Sequence, residues 1–314
     1  MIVGIIIVNW NSGRQLLECL DSIDKYFIEC SLFEIVVVDN ASIDQSIALI
    51  EEREFRFKLR IIQSLENLGF AKACNLGALQ CAHVEYLLFL NPDTRLLDSL
   101  AIESAVNFLK SNPKYGICGV QLIDEQGQIS KTCARFPGFL NLLYDAIGLS
   151  KLFPNYFLSK HMVDWDHASS REVDHVIGAF YLIKTTIFSE LNGFDERFFV
   201  YLEDLDLSYR AALQGYKSYY CTEVRVFHKG GGTSSQVKDR RLFYSIKSTL
   251  LYIAKHFPWY QSLCLFFIIL LIEPLTRLLF CLLRRDFKGA INTIMAYKMV
   301  YCNLANIMKL SAAP

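Results

Sequence analysis

No charge of one sign dominates this chain: Lys+Arg and Asp+Glu both number 32 in 314 residues. Nucleic-acid binders usually carry a basic excess, so that class of partner is not expected. No CxxC pair occurs among the ten cysteines, at 19, 30, 74, 81, 118, 133, 221, 264, 281 and 302, which argues against a zinc ribbon. Most of them lie inside apolar runs and read as small core residues in a reducing compartment, the cytosol. A basic n-region is also missing. The start, MIVGIIIVNW, is apolar for only a few residues and reads as a first strand rather than a signal peptide. No internal repeat is visible. What is abundant is apolar character: 53% of residues are hydrophobic, with a mean hydropathy of +0.26. That surplus needs a location.

In the first 120 residues, apolar stretches of strand length at 2–8, 34–38, 59–63, 85–90 and 116–122 alternate with helical patterns at 14–27, 43–52, 71–82 and 98–110. The strands are rich in Ile, Val and Leu without alternation, as in strands buried on both faces. Such alternation implies an α/β fold with a mostly parallel sheet and helices on both faces. Ligands of these sheets bind beyond the carboxyl ends of the strands. Four successive ends here are polar: Asn9 to Gly13, Asp39 to Ser42, Glu66 to Phe70, and Asn91 to Thr94. Turn chemistry supplies part of that, but four on one rim point to a polar ligand.

From 123 to 172 the pattern weakens to loops and short helices. Residues 174–184 restore a strand-like run, 203–214 read as a helix stopped by Gly215, 224–228 as a short strand, and 238–256 as an amphipathic helix. The surplus hydrophobicity collects at the end. Residues 263–272 are ten uninterrupted apolar residues, after which Glu273-Pro274 and Arg277 interrupt before a second run at 278–283. A spanning helix needs about 20 mostly apolar residues. With Lys255, His256, Arg284, Arg285 and Lys288 as flanks, the favoured reading is helices lying in a membrane interface against anionic headgroups. A spanning helix and an oligomer surface, such as that of a homodimer, are the alternatives.

IVNWNS, VVDNAS, NLGFAKACN, FLNPDT, GAFYLIK, GFDERFFVYLEDLDLSYR and HKGGGTS follow one another in this order. The series resembles the family 2 glycosyltransferases of GT-A fold, and most closely their rhamnosyltransferase-like branch in bacterial polysaccharide biosynthesis. The resemblance covers about residues 1–235. It implies a catalytic domain there, with a nucleotide-sugar half at 1–122 and an acceptor half at 123–235, and a helical appendage at 236–314. It implies an inverting, metal-dependent enzyme. A sugar, rhamnose from dTDP-rhamnose or another sugar from a UDP donor, would pass to a hydroxyl of a lipid-linked or growing glycan. The site would face the cytoplasm at the inner surface of the plasma membrane.

Within that frame, a carboxylate at Asp39 accepts a hydrogen bond from N3–H of uracil or thymine, so it cannot separate the two; an Asx turn is the plain alternative. Asn9, Asn67 and Asn75 resemble donor-side asparagines, and Gly69 opens a helix whose amides can face phosphate or ribose. Asn91-Pro92-Asp93 stands where the family has DxD, so Asp93 is left as the single carboxylate for Mg²⁺ or Mn²⁺. His228 resembles a further metal ligand, which would favour Mn²⁺, and the loop 230–234 beyond it could donate amides to diphosphate. Arg135 in ARFP and Asp174 before GAF match family positions, with Arg135 a candidate for donor phosphate or acceptor. Gly178 would let the backbone run beneath the donor sugar. Where the family often has Trp, this chain has His175, read alongside His167 as structural or surface.

The motif LEDLD then divides its acids. Asp204 matches the family's catalytic base, which takes the acceptor's proton. Glu203 is its electrostatic neighbour, expected to raise the pKa of Asp204. Asp206 is expected to pair with Arg210 four residues on. A nucleotidyltransferase would need a glycine-rich triphosphate loop that residues 9–13 lack. A non-catalytic subunit has only Asn91 in its favour, and a repetitive-chain polymerase lacks its QxxRW-type stretch.

Overall fold

Strand residues buried on both faces set the architecture, and the computed structural model describes residues 3–26, 33–81, 83–230 and 237–311. Expected positions Ile2, Phe27, Ala82 and 231–234 lie outside the described residues. In chain order the first elements are β1 (Val3–Asn9), α1 (Arg14–Tyr26), β2 (Phe33–Asp39), α2 (Ser46–Glu51), β3 (Leu59–Gln63) and α3 (Phe70–Leu79). Then come β4 (Tyr86–Leu90), β5 (Thr94–Leu96), α4 (Ala101–Ser111), β6 (Tyr115–Ile123), β7 (Cys133–Ala134), α5 (Phe139–Ala146) and α6 (Leu149–Leu152). They are followed by β8 (Arg171–Val173), β9 (His175–Val176), β10 (Phe180–Lys184), α7 (Thr185–Glu190), α8 (Glu203–Leu213) and β11 (Lys217–His228). The end is helical: α9 (Lys238–His256), α10 (Trp259–Phe267), a π-helical segment (Ile268–Ile272), α11 (Glu273–Leu283), α12 (Phe287–Cys302) and α13 (Leu304–Ser311).

The chain divides into two units. The first contains the described residues of 1–135, 165–196 and 203–233, and the second those of 136–164, 197–202 and 234–314. Among the described residues, the main sheet of this unit has nine strands, with β3-β2-β1-β4-β10-β6-β11-β5 in order and β8 beside β11. Strands β1 to β4 pair in parallel. β10 inserts antiparallel between β4 and β6, and β11 runs parallel to β6. The carboxyl ends of β1, β2, β4, β6 and β11 therefore share one rim. The amino end of β10 joins them, since the Asn91 amide donates to the Ala179 carbonyl at 3.1 Å. Asn9, Asp39, Asn91, Asp93, Gly178 and His228 thus meet along one edge. Beneath it, Ile5, Ile7, Ile35, Val37 and Leu88 pack with Leu16, Leu20 and Ile23 of α1 in one buried cluster.

Two expectations about strand bounds change, and the interrupted apolar run proves to be one helix. Residues 174–184 are not one strand: β9 pairs with β7 in a separate ribbon, and a turn carrying Gly178 separates it from β10. β11 begins at Lys217, well before 224, with a register shift between Cys221 and Arg225; its charged outward residues hide it from an apolar-run reading. Glu273-Pro274 does not end the helix, which runs continuously from Trp259 to Leu283. Pro274 enters at the first turn of α11, directly after the π-helical segment. Its missing amide costs least there, and Glu273 is neutralised by Arg277 at 2.7 Å.

The helical unit has its own core, in which Leu142 and Ala146 of α5 join Ile246, Leu250, Leu265, Ile269, Tyr297 and Val300. The amphipathic α5 buries its apolar face among the C-terminal helices, so 136–164 belongs with them rather than with the sheet. That division differs from a linear boundary at 235. The helix Trp259–Leu283 is long and apolar enough to cross a membrane by length and composition.

Candidate active site

Asn9 ends β1 fully buried, and its amide donates to Asp39 Oδ1 at 2.7 Å, Ser42 Oγ at 3.0 Å and Ser46 Oγ at 2.8 Å. Ser12 donates back to its Oδ1. The register places Asn9 beside Asp39, so the parallel pairing itself aligns amide with carboxylate. Asp39 Oδ2 also accepts from the Ser42 amide at 3.1 Å. With these partners Asn9 has no free donor for a nucleotide; it orients Asp39. Ser42, part of that polar strand end, and Ser46, which the strand-end reading passed over, complete this net. Asp44 ties the loop across: it accepts from the Gly13 amide at 2.7 Å and from the Ser46 hydroxyl at 2.5 Å. Burial, the largest single contribution, pushes the Asp44 carboxyl up, but the hydrogen bonds from Ser46 and Gly13 together outweigh it and hold its pKa below the ordinary value.

One strand further out, Gly69 caps α3 with φ +81°, a conformation suited to glycine. Its carbonyl accepts from Asn40 at 3.0 Å and its amide donates to Asn67 Oδ1 at 2.9 Å. Asn67 and Gly69 thus sit together at the rim. Asn75 does not join them as a donor-side group. Its amide clamps the backbone of Phe194 in both directions at 2.9 Å and donates to Glu196 at 3.1 Å. Its polar atoms are spent on holding the segment before α8.

Asp93 and His228 meet at 3.4 Å, Oδ1 to Nε2, both nearly buried. The pairing of β5 with β11 creates this meeting, because His228 registers against Thr94. A single divalent cation about 2.1 Å from each donor spans such a gap, so the pair fits a cation. No group of three or more His, Cys, Asp or Glu side chains placed to hold a metal ion occurs among the described residues; the remaining ligands would be diphosphate and water. The side chain of Asn91 has no hydrogen-bond partner among the described residues, while its carbonyl accepts from Thr94 at 2.6 Å. Arg135 follows β7 and is half-buried. Of the loop beyond His228, only Gly230 is described, with φ +70°.

Asp204 lies in the first turn of α8, with its side chain 13% exposed. Its Oδ2 accepts from the Gly178 amide at 2.7 Å and lies 3.6 Å from His175 Nε2. A Cβ at Gly178 would stand 3.1 Å from that oxygen. Gly178 is therefore an anchor for Asp204, and its amide is turned to the carboxylate rather than to a sugar. His175, read from the sequence as structural or surface, is buried against Asp204, with Nδ1 3.0 Å from Ser208 Oγ. Burial lowers its pKa, opposed by Asp204 and Asp174. Ser208 in turn meets Tyr181 Oη at 3.0 Å.

The three acids have separate surroundings. Glu203 is buried with Oε2 lacking any hydrogen-bond partner. Burial, then repulsion from Asp204 and Asp206, raises its pKa well above the ordinary carboxylate value. Burial and its acidic neighbours thus disfavour the charged form of Glu203. Asp206 is fully buried and accepts from Arg210 at 2.7 Å. Arg210 also donates to the carbonyls of Leu191 at 2.6 Å and Gly193 at 2.8 Å, tying α8 to that loop.

A rim of carboxylates and amides on a mostly parallel sheet, with an acid–imidazole pair and one partly open carboxylate, suits the handling of an activated phosphate ester. The family model described as Glycosyl transferase family 2 matches residues 4–168, over half of the chain, and the chain belongs to that family. Within it the chain is rhamnosyltransferase-like. The N-acetylglucosaminyl-diphospho-decaprenol L-rhamnosyltransferase of Mycobacterium tuberculosis is 23% identical over 240 residues, covering 73% of this chain and 77% of that protein. The O-antigen chain rhamnosyltransferase RfbN of Salmonella typhimurium is 25% identical over 240 residues, with coverages of 76% and 70%. Among solved structures, the mannosyltransferase PcManGT from Pyrobaculum calidifontis, in complex with GDP-Man and Mn²⁺, superposes with a TM-score of 0.55 at 18% identity, over 96% of this chain and 75% of that one. The shared fold is GT-A.

Proposed function

We propose that this glycosyltransferase is an inverting, metal-dependent enzyme that moves rhamnose from dTDP-rhamnose to a hydroxyl of a lipid-linked or growing surface glycan. The names of the two rhamnosyltransferase relatives support the donor and acceptor class. The observation that carries the reaction type is Asp204: one partly open carboxylate, fixed by the Gly178 amide, on the rim that also bears Asp93 and His228. A single fixed base suits an inverting transfer, whereas hydrolases pair two carboxylates.

In this reading Asp39 accepts N3–H of the pyrimidine, with Asn9 holding it in place. Asn67, the Gly69 amide region and Asn91 line the donor side, and Arg135 is the candidate for phosphate or acceptor. Asp93 and His228 would hold Mg²⁺ or Mn²⁺, which when bound offsets charge on the leaving diphosphate. Asp204 takes the acceptor hydroxyl's proton as that oxygen bonds to the anomeric carbon. The bond from that carbon to the diphosphate oxygen breaks, and nucleoside diphosphate leaves. Glu203, whose charged form burial disfavours, stands next to that base. The helical unit would rest on the inner face of the plasma membrane from the cytoplasmic side, and a homodimer is an alternative use of its apolar surface.

The test is a panel of dTDP- and UDP-sugars with Mn²⁺, Mg²⁺ or chelator, read by nucleoside diphosphate release. Release from dTDP-rhamnose that needs metal is the expected result. Release from a UDP-sugar alone would replace the donor, and undiminished release in chelator would remove the metal.

A further inference from the structure

Asp204 has a buried polar net behind it, and its two oxygens are held differently. Oδ1 accepts from the Leu205 amide at 2.8 Å. Oδ2 accepts from the Gly178 amide at 2.7 Å and faces His175 Nε2 at 3.6 Å. Among the described residues, His175 is the only basic side chain within ion-pair distance of Asp204.

The imidazole is closely held. Its side chain is 6% exposed, and Nδ1 lies 3.0 Å from Ser208 Oγ. That hydroxyl also lies 3.0 Å from Tyr181 Oη and 3.0 Å from the Asp204 carbonyl. Ser208 has a single proton to give. Given to Nδ1, it leaves the hydrogen of the neutral ring on Nε2, facing the carboxylate, while Tyr181 donates to Ser208. Given to the carbonyl, it puts the ring hydrogen on Nδ1 and turns a lone pair of Nε2 against Asp204. An ionised carboxylate repels that lone pair, so it selects the Nε2–H form. The 3.6 Å separation is longer than a hydrogen bond, as catalytic contacts often are before substrate binds.

Other groups around the pair supply no free positive charge. Glu203 and Asp206 stand with Asp204 on α8, and Arg210 is committed to Asp206 at 2.7 Å. Asp174 is the second acid acting on the ring. Burial pushes up the thiol of Cys74 on α3 and the phenol of Tyr181 on β10. On β7, beside β9, burial pushes the Cys133 thiol up to about 12.

With Asp204 read as the base, we propose that His175 is its positioning residue: Nε2–H, aimed by Ser208 and Tyr181, stabilises the ionised carboxylate and commits Oδ2, so that Oδ1 receives the acceptor's proton. A hydrogen bond donated to a charged form favours that form. Without the imidazole, Asp204 would keep its own proton to higher pH and could not take another.

The test follows the Asp204 carboxyl directly, by ¹³C NMR titration of the full chain labelled at aspartate Cγ, with Asp204→Asn identifying its signal. His175→Phe should move the Asp204 midpoint up by about one pH unit, tenfold in proton affinity. His175→Gln keeps a donor and should stay near the parent. Ser208→Ala frees the ring and should move the midpoint part of the way. The acid limb of the kcat/KM profile should move alike, read by nucleoside diphosphate release from the donor found in the nucleotide-sugar panel. An unmoved midpoint in both His175→Phe and Ser208→Ala overturns the role of His175, as does an equal shift in the Phe and Gln variants. If His175→Phe does not fold, Ser208→Ala decides: a raised midpoint supports the role and an unmoved one overturns it. Lower turnover or melting temperature with midpoint and acid limb unmoved assigns His175 to packing and also overturns it. Parental turnover in Asp204→Asn overturns the base reading itself, whereas an unmoved midpoint beside an inactive Asp204→Asn overturns only the role of His175.

Discussion

In the sheet unit, buried polar side chains close on one another: Asn9 meets Asp39, Ser42 and Ser46 at 2.7 to 3.0 Å, and Asp206 meets Arg210 at 2.7 Å. In the helical unit, Glu273 pairs with Arg277 and Asp145 with Ser150 and Ser159, while Lys151 and Arg284 stand exposed at the surface. The contrast separates two uses of polarity inside a protein. Satisfied groups fix a scaffold, because breaking them strands a partner. Cations left at the surface keep their hydration and fix little. Glu203 is the exception in the sheet unit, with one oxygen unpartnered and its charge suppressed by burial. It stands next to Asp204, whose carboxylate is held yet remains partly open.

The largest expected effect separates holding from reacting. Asp204→Asn keeps a group that accepts from Gly178 but removes the base, so turnover should fall by about 10² to 10⁴. Donor affinity and melting temperature should stay close to the parent's. Near-parental turnover in a steady-state assay would mean that Asp204 belongs to the scaffold.

Asp206→Ala attacks the scaffold itself. Arg210 keeps its two carbonyl contacts but loses its carboxylate, and breaking a buried pair typically costs about 3 to 5 kcal/mol. Urea denaturation gives the number. Because the Arg210 side chain is 17% exposed, the lower end is expected, and a loss below about 1 kcal/mol would place this pair among weak surface bridges.

Glu203→Gln should have the smallest effect and a distinctive pH dependence. The folded pKa of Glu203 lies above its ordinary value of 4.5. Below the ordinary value both states hold the proton. Above it the unfolded chain releases the proton first, so the parent loses stability as pH rises towards the folded pKa. Gln has no proton to release and escapes that loss. Melting curves at about pH 5 and pH 8 should show the variant gaining on the parent with pH; a constant gap would mean that Glu203 ionises in the folded state.

Much of this site was legible because strand ends announce themselves. Asn9, Asp39, Asn91 and Asp93 each follow an apolar run, and a parallel sheet gathers such residues on one rim. The helix at 238–256 has the bounds its amphipathic pattern implies. The i,i+4 spacing of Asp206 and Arg210 is local, and the pair forms. Contacts across long separations were not legible. Asn75 is 119 residues from Phe194, and His175 is 33 from Ser208. Nothing near either residue signals those partners. Gly178 resembled a close-approach glycine and is one, but the group approaching it is Asp204, 26 residues on.

The sequence by itself determined the class of fold, the polar rim and the order of the motifs, because hydrophobic period and strand-end chemistry are local properties of the chain. Tertiary structure alone decided which polar groups are spent and which remain available. The antiparallel insertion of β10 brings Gly178 to Asp204, and the packing of α5 with the C-terminal helices brings Lys151 over the ring of Phe280. Each depends on pairing distant segments, whose outcome is set by burial and hydrogen-bond satisfaction over a whole unit rather than by any short stretch.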